Sequence, residues 1–222
     1  MKIISKIITL LITLIVPLLL IMTSIRILIN PFFLDYEYNL PAFPQDEFGF
    51  STQDRLQWGK QSLDYLTNRS GIESLANLKF ENGNPIYNER ELSHMLDVKN
   101  LVQLMIKIWF AIIIFLVVIG ILAWRMDSLK QYWKAISNGG WFTIGLILLV
   151  LAGVLINFDA LFTGFHRIFF NGDTWLFYSD DTLIRLFPEK LWSDAFTFMG
   201  IFTLTAAIVS AIVGARLSLK AK

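Results

Sequence analysis

Four long apolar runs constrain this chain of 222 residues more than any other feature. They extend approximately over residues 7–29, 101–124, 141–158 and 195–217. A hydrocarbon core of about 30 Å needs roughly 20 apolar helical residues to cross it. Inside lipid, the backbone polar groups must be satisfied within the segment itself, which a helix achieves. The expected fold class is therefore an all-α polytopic membrane protein with four transmembrane helices. Pro17 falls in the middle of the first run, where a kink is expected rather than a break. That run exceeds the roughly 7–15 residues of a signal-peptide core, and no clear small-x-small cleavage site follows, so an uncleaved anchor is expected. Gly145 and Gly153 in the third run predict close helix packing. Lys107 in the second has a stem long enough to reach the interface.

Charge orders these runs across the bilayer. The N-terminus carries Lys2 and Lys6 without an acid, and the C-terminal tail carries Arg216, Lys220 and Lys222 without one. The segment between the second and third runs has Arg125, Lys130 and Lys134 against Asp127 alone. Positively charged short segments face the cytoplasm, so both termini are expected inside. Residues 30–100, with 11 acids against 6 Lys or Arg, and residues 159–194, with 6 against 3, are then expected outside. No basic face rises above this topology signal, which excludes a nucleic-acid binder. The chain has no cysteine, which excludes a disulfide framework, thiolate metal ligands and a cysteine nucleophile.

The expected organisation is a first transmembrane helix within 1–29, an extracellular cap over 30–100 and a second helix over 101–124. A cytoplasmic loop over 125–140, a third helix over 141–158, an outward interfacial segment over 159–194 and a fourth helix with its tail over 195–222 complete it. The cap is too long for a bare connector, and a small α+β unit is expected. Asn39 to Pro44 reads as a turn or extended segment. Thr52 to Arg69 reads as a helix with Leu56, Leu63 and Leu66 on one face. Leu78 to Phe80 and Ile86 to Tyr87 read as short strands around a turn over Glu81 to Pro85. Asn88 with Glu91 three residues on has capping-box spacing, and no helix breaker follows before Gly120. One helix is expected from about Glu89 into the second run, carrying His94 and Asp97 on a shared i,i+3 face outside the hydrocarbon. The second outward segment is an aromatic belt that includes Phe165, Phe169, Phe170, Trp175 and Phe177. Two short interfacial helices are expected within it, over Leu183 to Phe187 and Pro188 to Trp192.

Only two histidines occur, His94 and His166, each where an outward segment meets a span. Histidine both takes and gives a proton near neutral pH. The chain contains no His-Glu-x-x-His, Walker, Gly-x-Gly-x-x-Gly or Gly-x-Ser-x-Gly sequence. Two histidines with carboxylates and arginines nearby suit proton transfer better than covalent nucleophilic catalysis. Either histidine could equally be an ordinary packed interfacial residue. Asp97 is placed to hold the tautomer of His94. Arg90, Lys99, Arg167 and Arg185 also fit snorkelling or binding to lipid phosphates, and that reading is favoured for Lys99 and Arg185.

The segment Arg90-Glu91-Leu92-Ser93-His94-Met95-Leu96-Asp97-Val98-Lys99 resembles an Arg-Glu-x-x-His-Met-x-Asp-Val-Lys signature. It belongs to the lipoprotein intramolecular transacylase (Lit) family of bacterial four-span membrane proteins. The stretch Phe165-His166-x-x-Phe169-Phe170, with Thr174-Trp175-x-Phe177, Leu183-Ile184 and Phe187-Pro188-x-x-x-Trp192, resembles that family's second histidine region in the same order. The resemblance implies a plasma-membrane enzyme acting on diacylglyceryl-modified lipoproteins among membrane lipids, without a cofactor or metal. Its reaction would move the sn-2 acyl chain from glycerol oxygen to the α-amine of the N-terminal cysteine. His94 and His166 would be the acid–base pair in either order, with Asp97 orienting His94 and Arg90 or Arg167 donating to the oxyanion. Two other readings stand beside it. One is a non-enzymatic accessory or binding protein whose cap is the working surface. The other is a metal-dependent intramembrane hydrolase using both histidines with Asp97 or Asp173.

Overall fold

The computed structural model describes residues 2–221, and side chains from residue 5 to residue 221. Nine helices run in chain order among the described residues: α1 (Lys2–Leu28), α2 (Pro31–Tyr38), α3 (Thr52–Thr67), α4 (Glu73–Ala76) and α5 (Glu89–Arg125), then α6 (Leu129–Ile156), α7 (Phe158–Phe169), α8 (Thr182–Leu186) and α9 (Glu189–Lys220). Four of them, α1, α5, α6 and α9, are long and apolar enough to cross a membrane, and the protein is a multi-pass membrane protein. The chain forms two compact units.

The first unit takes residues up to 27, 105–156 and from 196 onward. Its core gathers Ile12 and Val16 of α1, Ile112 and Leu116 of α5, and Ala135 of α6. Helix α1 passes through Pro17 unbroken. Helices α6 and α9 meet backbone to backbone. A Cβ on Gly140 would stand 2.6 Å from the Ala211 nitrogen, and one on Gly214 would stand 2.8 Å from the Trp133 oxygen. The Ser137 hydroxyl donates to the Ala211 carbonyl at 2.8 Å across the same seam. Small residues serve membrane helices in this way because close approach replaces a hydrophobic driving force that lipid does not supply. The seam therefore falls on Gly140 and Gly214, whereas Gly145 faces open space. Residues 129–140, expected as loop, are the first turns of α6, leaving only residues 126–128 as the connection.

The second unit takes Leu28–Leu104 and Asn157–Ala195. Its core packs Leu34 and Tyr38 of α2 with Leu191, flanked by Phe33, Phe43, Leu56, Leu63 and Phe187. Helix α2 starts as its sequence dictates: the Asn30 side chain accepts from Phe32 N at 2.9 Å, and Pro31 occupies the first turn. Helix α3 begins in a Ser51–Asp54 capping box. The segment over 78–86 is a tight turn with a single bridge, Lys79 to Pro85, and Gly83 at φ +85. No strand forms among the described residues, so the unit is helical rather than α+β. The reason is length, since Leu78 and Phe80 have only Ile86 and Asn84 to pair with. Arg185 is held by Asp46 at 2.9 Å over the Phe50 ring. Lys99 donates to the Ser70 carbonyl at 2.6 Å beside the Tyr65 ring. Both cations expected at lipid phosphates are thus bound inside this unit. Pro188 precedes α9, so the second expected interfacial helix is the first turn of a 32-residue helix.

Candidate active site

Three elements of the second unit build the site: the start of α5, the end of α7, and the segment between α7 and α8. Asn88 and Glu91 form the expected capping box, with Glu91 N to Asn88 Oδ1 at 3.0 Å and Asn88 N to Glu91 Oε2 at 2.8 Å. The other carboxylate oxygen of Glu91 accepts from Leu183 N at 2.7 Å. The same stretch is strapped three more times. Thr182 donates to the Ile86 carbonyl at 2.5 Å, Asn88 Nδ2 donates to Asp181 at 2.8 Å, and Arg90 pairs with Asp181 at 3.1 Å. Burial pushes the Glu91 carboxyl up, against its two backbone donors. This strap holds Phe177 edge-on to His94, with ring centroids 5.4 Å apart.

His166 lies one turn from the end of α7. Its Nδ1 stands 2.8 Å from the Phe162 carbonyl. A carbonyl can only accept, so Nδ1 carries the proton and Nε2 presents a lone pair. Trp175 lies 4.9 Å from this imidazole with its plane tilted by 34°, brought there by a turn through Gly172 at φ +62. His94 and His166 are each 8% exposed, with ring centroids 6.1 Å apart and planes at 25°. Phe170, equally buried, touches both rings at 5.0 and 5.5 Å. His94 Nδ1 is buried without a hydrogen-bond partner. Burial, with His166 nearby, pushes the His94 imidazole down to about 4, and burial also lowers His166. Burial thus favours the uncharged form of both rings. A pair of uncharged imidazoles in a wall of aromatic rings can accept one proton and donate another without first placing a charge in a dry pocket.

The residues expected from sequence separate into two groups. His94 and His166 come together from positions 72 apart in the chain. Asp97 does not join them: it is exposed and makes no hydrogen bond to His94. The buried face of α5 runs through Glu91, Met95 and Val102, with His94 on one edge. A further step of three residues from His94 turns Asp97 toward solvent. Arg90 faces Asp181 and the rings of Phe177 and Tyr178, and Arg167 is exposed on α7. No three His, Asp or Glu side chains gather as a metal site among the described residues. Sequence reasoning missed the Phe162 carbonyl and the outer partner of Glu91. The acidic Asp181 next to Thr182, a helix-start pattern, was the available signal for the strap.

Comparison with known proteins gives a consistent answer. The family model described as lipoprotein intramolecular transacylase Lit matches residues 10–192, which include both histidines. An uncharacterized protein of Aquifex aeolicus (strain VF5) is 29% identical over 193 residues, covering 86% of this chain and 85% of its own. The fold is similar to the in meso structure of the membrane-integral lipoprotein intramolecular transacylase Lit from Bacillus cereus, with a TM-score of 0.77 at 20% identity over 99% of this chain and 98% of that one. A histidine-to-alanine variant of that protein matches with a TM-score of 0.68 over 98% of this chain and 94% of that one, at 20% identity. With the matched region spanning both histidine segments and most of the chain, this protein belongs to the lipoprotein intramolecular transacylase (Lit) family.

Proposed function

We propose that this protein moves the sn-2 acyl chain of a diacylglyceryl lipoprotein from glycerol oxygen to the α-amine of the N-terminal cysteine, giving the lyso form. The observation that carries this reading is the pair of buried imidazoles, 6.1 Å apart among aromatic rings, one with its tautomer fixed by a backbone carbonyl. The acyl-donating ester and the accepting amine belong to one molecule, so binding converts the reaction into an oriented intramolecular step. The α-amine, whose ammonium form has a pKa of about 8, attacks as the free amine, the ammonium proton having first gone to solvent.

On this reading the two histidines take different tasks. His166 offers an Nε2 lone pair and takes the amine proton as nitrogen bonds to the acyl carbon. The same proton passes to the glyceryl oxygen when the acyl C–O bond breaks. One proton thus moves from nitrogen to oxygen, and no group from outside the substrate is consumed. His94, whose buried Nδ1 has no acceptor for a proton, is best served by carrying its hydrogen on Nε2. As a neutral donor it stabilises the oxyanion of the tetrahedral intermediate. The phenyl and indole walls strengthen both interactions by lowering the local dielectric.

The charge pattern supports a plasma-membrane location with the termini inside and the site outside, at the headgroup level where a mature lipoprotein presents its lipidated terminus. Its partners are then diacylglyceryl lipoproteins and membrane lipids. The test uses the full chain reconstituted in vesicles with a synthetic diacylglyceryl-cysteine peptide and no added acyl donor. An isobaric product bearing an N-acyl cysteine is expected, and none when the peptide's α-amine is acetylated beforehand. Product formation from the acetylated peptide, or none from the free one, overturns the proposal.

A further inference from the structure

A neutral imidazole base beside an ester is also the outline of a hydrolase. Water in place of the amine would give its proton to His166 and bond to the acyl carbon, and the glyceryl oxygen would leave with that proton. The products would be a free fatty acid and a lipoprotein with an unmodified amine. The site therefore needs something that chooses between amine and water.

The walls around the two imidazoles supply it. Phe162 lies 4.1 Å from His166, Trp175 4.9 Å from His166, Phe177 5.4 Å from His94, and Phe170 within 5.5 Å of both. The polar backbone atom among them, the Phe162 carbonyl, is already bound to His166. The Trp175 indole N–H is turned away to the Gly172 carbonyl at 3.1 Å. An ordered water needs about two to four polar partners, and the side chains that the described residues place against the two imidazoles are mainly aromatic rings. The Phe170 ring is in contact with both histidines. It is buried, and its own backbone N–H is satisfied by the His166 carbonyl at 2.8 Å as the cap of α7.

Resting on the proposed reaction, we infer that Phe170 is a specificity-determining positioning residue. Its ring fills the space in which water would reach His166, and so directs the acyl group to nitrogen rather than to water. The amine, tethered to the ester, is delivered by its own substrate and does not depend on a polar lining. Shortening the ring opens that space, while a bulky aliphatic side chain keeps it filled.

The test reads products, not only rate. The full chain in vesicles, given the diacylglyceryl-cysteine peptide, is analysed for N-acyl peptide and for free fatty acid. Phe170→Ala is expected to raise free fatty acid per acyl group released by about tenfold or more, with Phe170→Leu close to the unsubstituted chain. An unchanged product ratio in Phe170→Ala overturns the inference. So does loss of both products together, which makes Phe170 a support of the fold only. If the unsubstituted chain itself makes no N-acyl peptide, the proposed function fails instead, and the two failures are separable.

Discussion

Arg90 holds Asp181 at 3.1 Å and lies over the rings of Phe177 and Tyr178, so its guanidinium is committed to the strap beside the site. An oxyanion donor removed from an active site costs about 10²–10³ in rate, whereas a half-exposed ion pair contributes little. Arg90→Gln is therefore expected to slow acyl transfer by only about two- to fivefold, through looser seating of Phe177. Steady-state transfer in vesicles measures this, and a loss of two orders of magnitude would return Arg90 to the chemistry. Glu91 shows why parts of such a site escape a sequence reading. Its near partner Asn88 follows from local spacing, but its far partner Leu183 lies 92 positions away, where no periodicity reaches. Asp97 shows the complementary difficulty. Residues three before and three after His94 both qualify as neighbours, and only the packing of α5 decides that Glu91 is inside and Asp97 outside.

Among the helices, α2 brings the least expected group into the second unit. Glu37 is fully buried, and neither carboxylate oxygen has a donor. It faces Asp194 near the start of α9, with Lys190 adjacent and itself paired with Asp194. Burial first, then the neighbouring Asp194 carboxyl, pushes Glu37 up to about 7. The folded protein therefore binds more protons than the unfolded chain between about pH 4.5 and 7. The resulting stability is present in full below that window and is lost as pH rises through it. Glu37→Gln is expected to melt on the order of 2–4 °C above the unsubstituted chain near pH 8 and to match it near pH 5. Thermal unfolding at both pH values checks this, and an equal shift at both would remove the raised Glu37 pKa from the account. The spans and the long helix entering the second one were legible because length and capping are local properties. The helices α2 and α7 were not: their aromatic runs carry the composition of an interfacial belt, and a helical period is hard to separate from it.

For the whole molecule, two kinds of packing coexist in one chain. The first unit relies on small residues, with Gly140 and Gly214 admitting a neighbouring backbone. The second relies on buried charge and aromatic rings, as at Arg185 over Phe50 and at the histidine pair. That division follows the solvent each is suited to, since apolar side chains gain little by leaving lipid and much by leaving water. Family membership and fold agree with a lipoprotein intramolecular transacylase, and the chemistry proposed for it stands or falls with the two imidazoles. The decisive measurement is fragmentation mass spectrometry of a lipoprotein's N-terminal peptide from cells carrying the unsubstituted chain, His94→Ala or His166→Ala, with membrane insertion of each checked. The account predicts an acyl group on the cysteine nitrogen with the unsubstituted chain and a loss of about 10²-fold or more in either variant. A stably inserted variant of either histidine that still transfers the acyl group at the original level would contradict it.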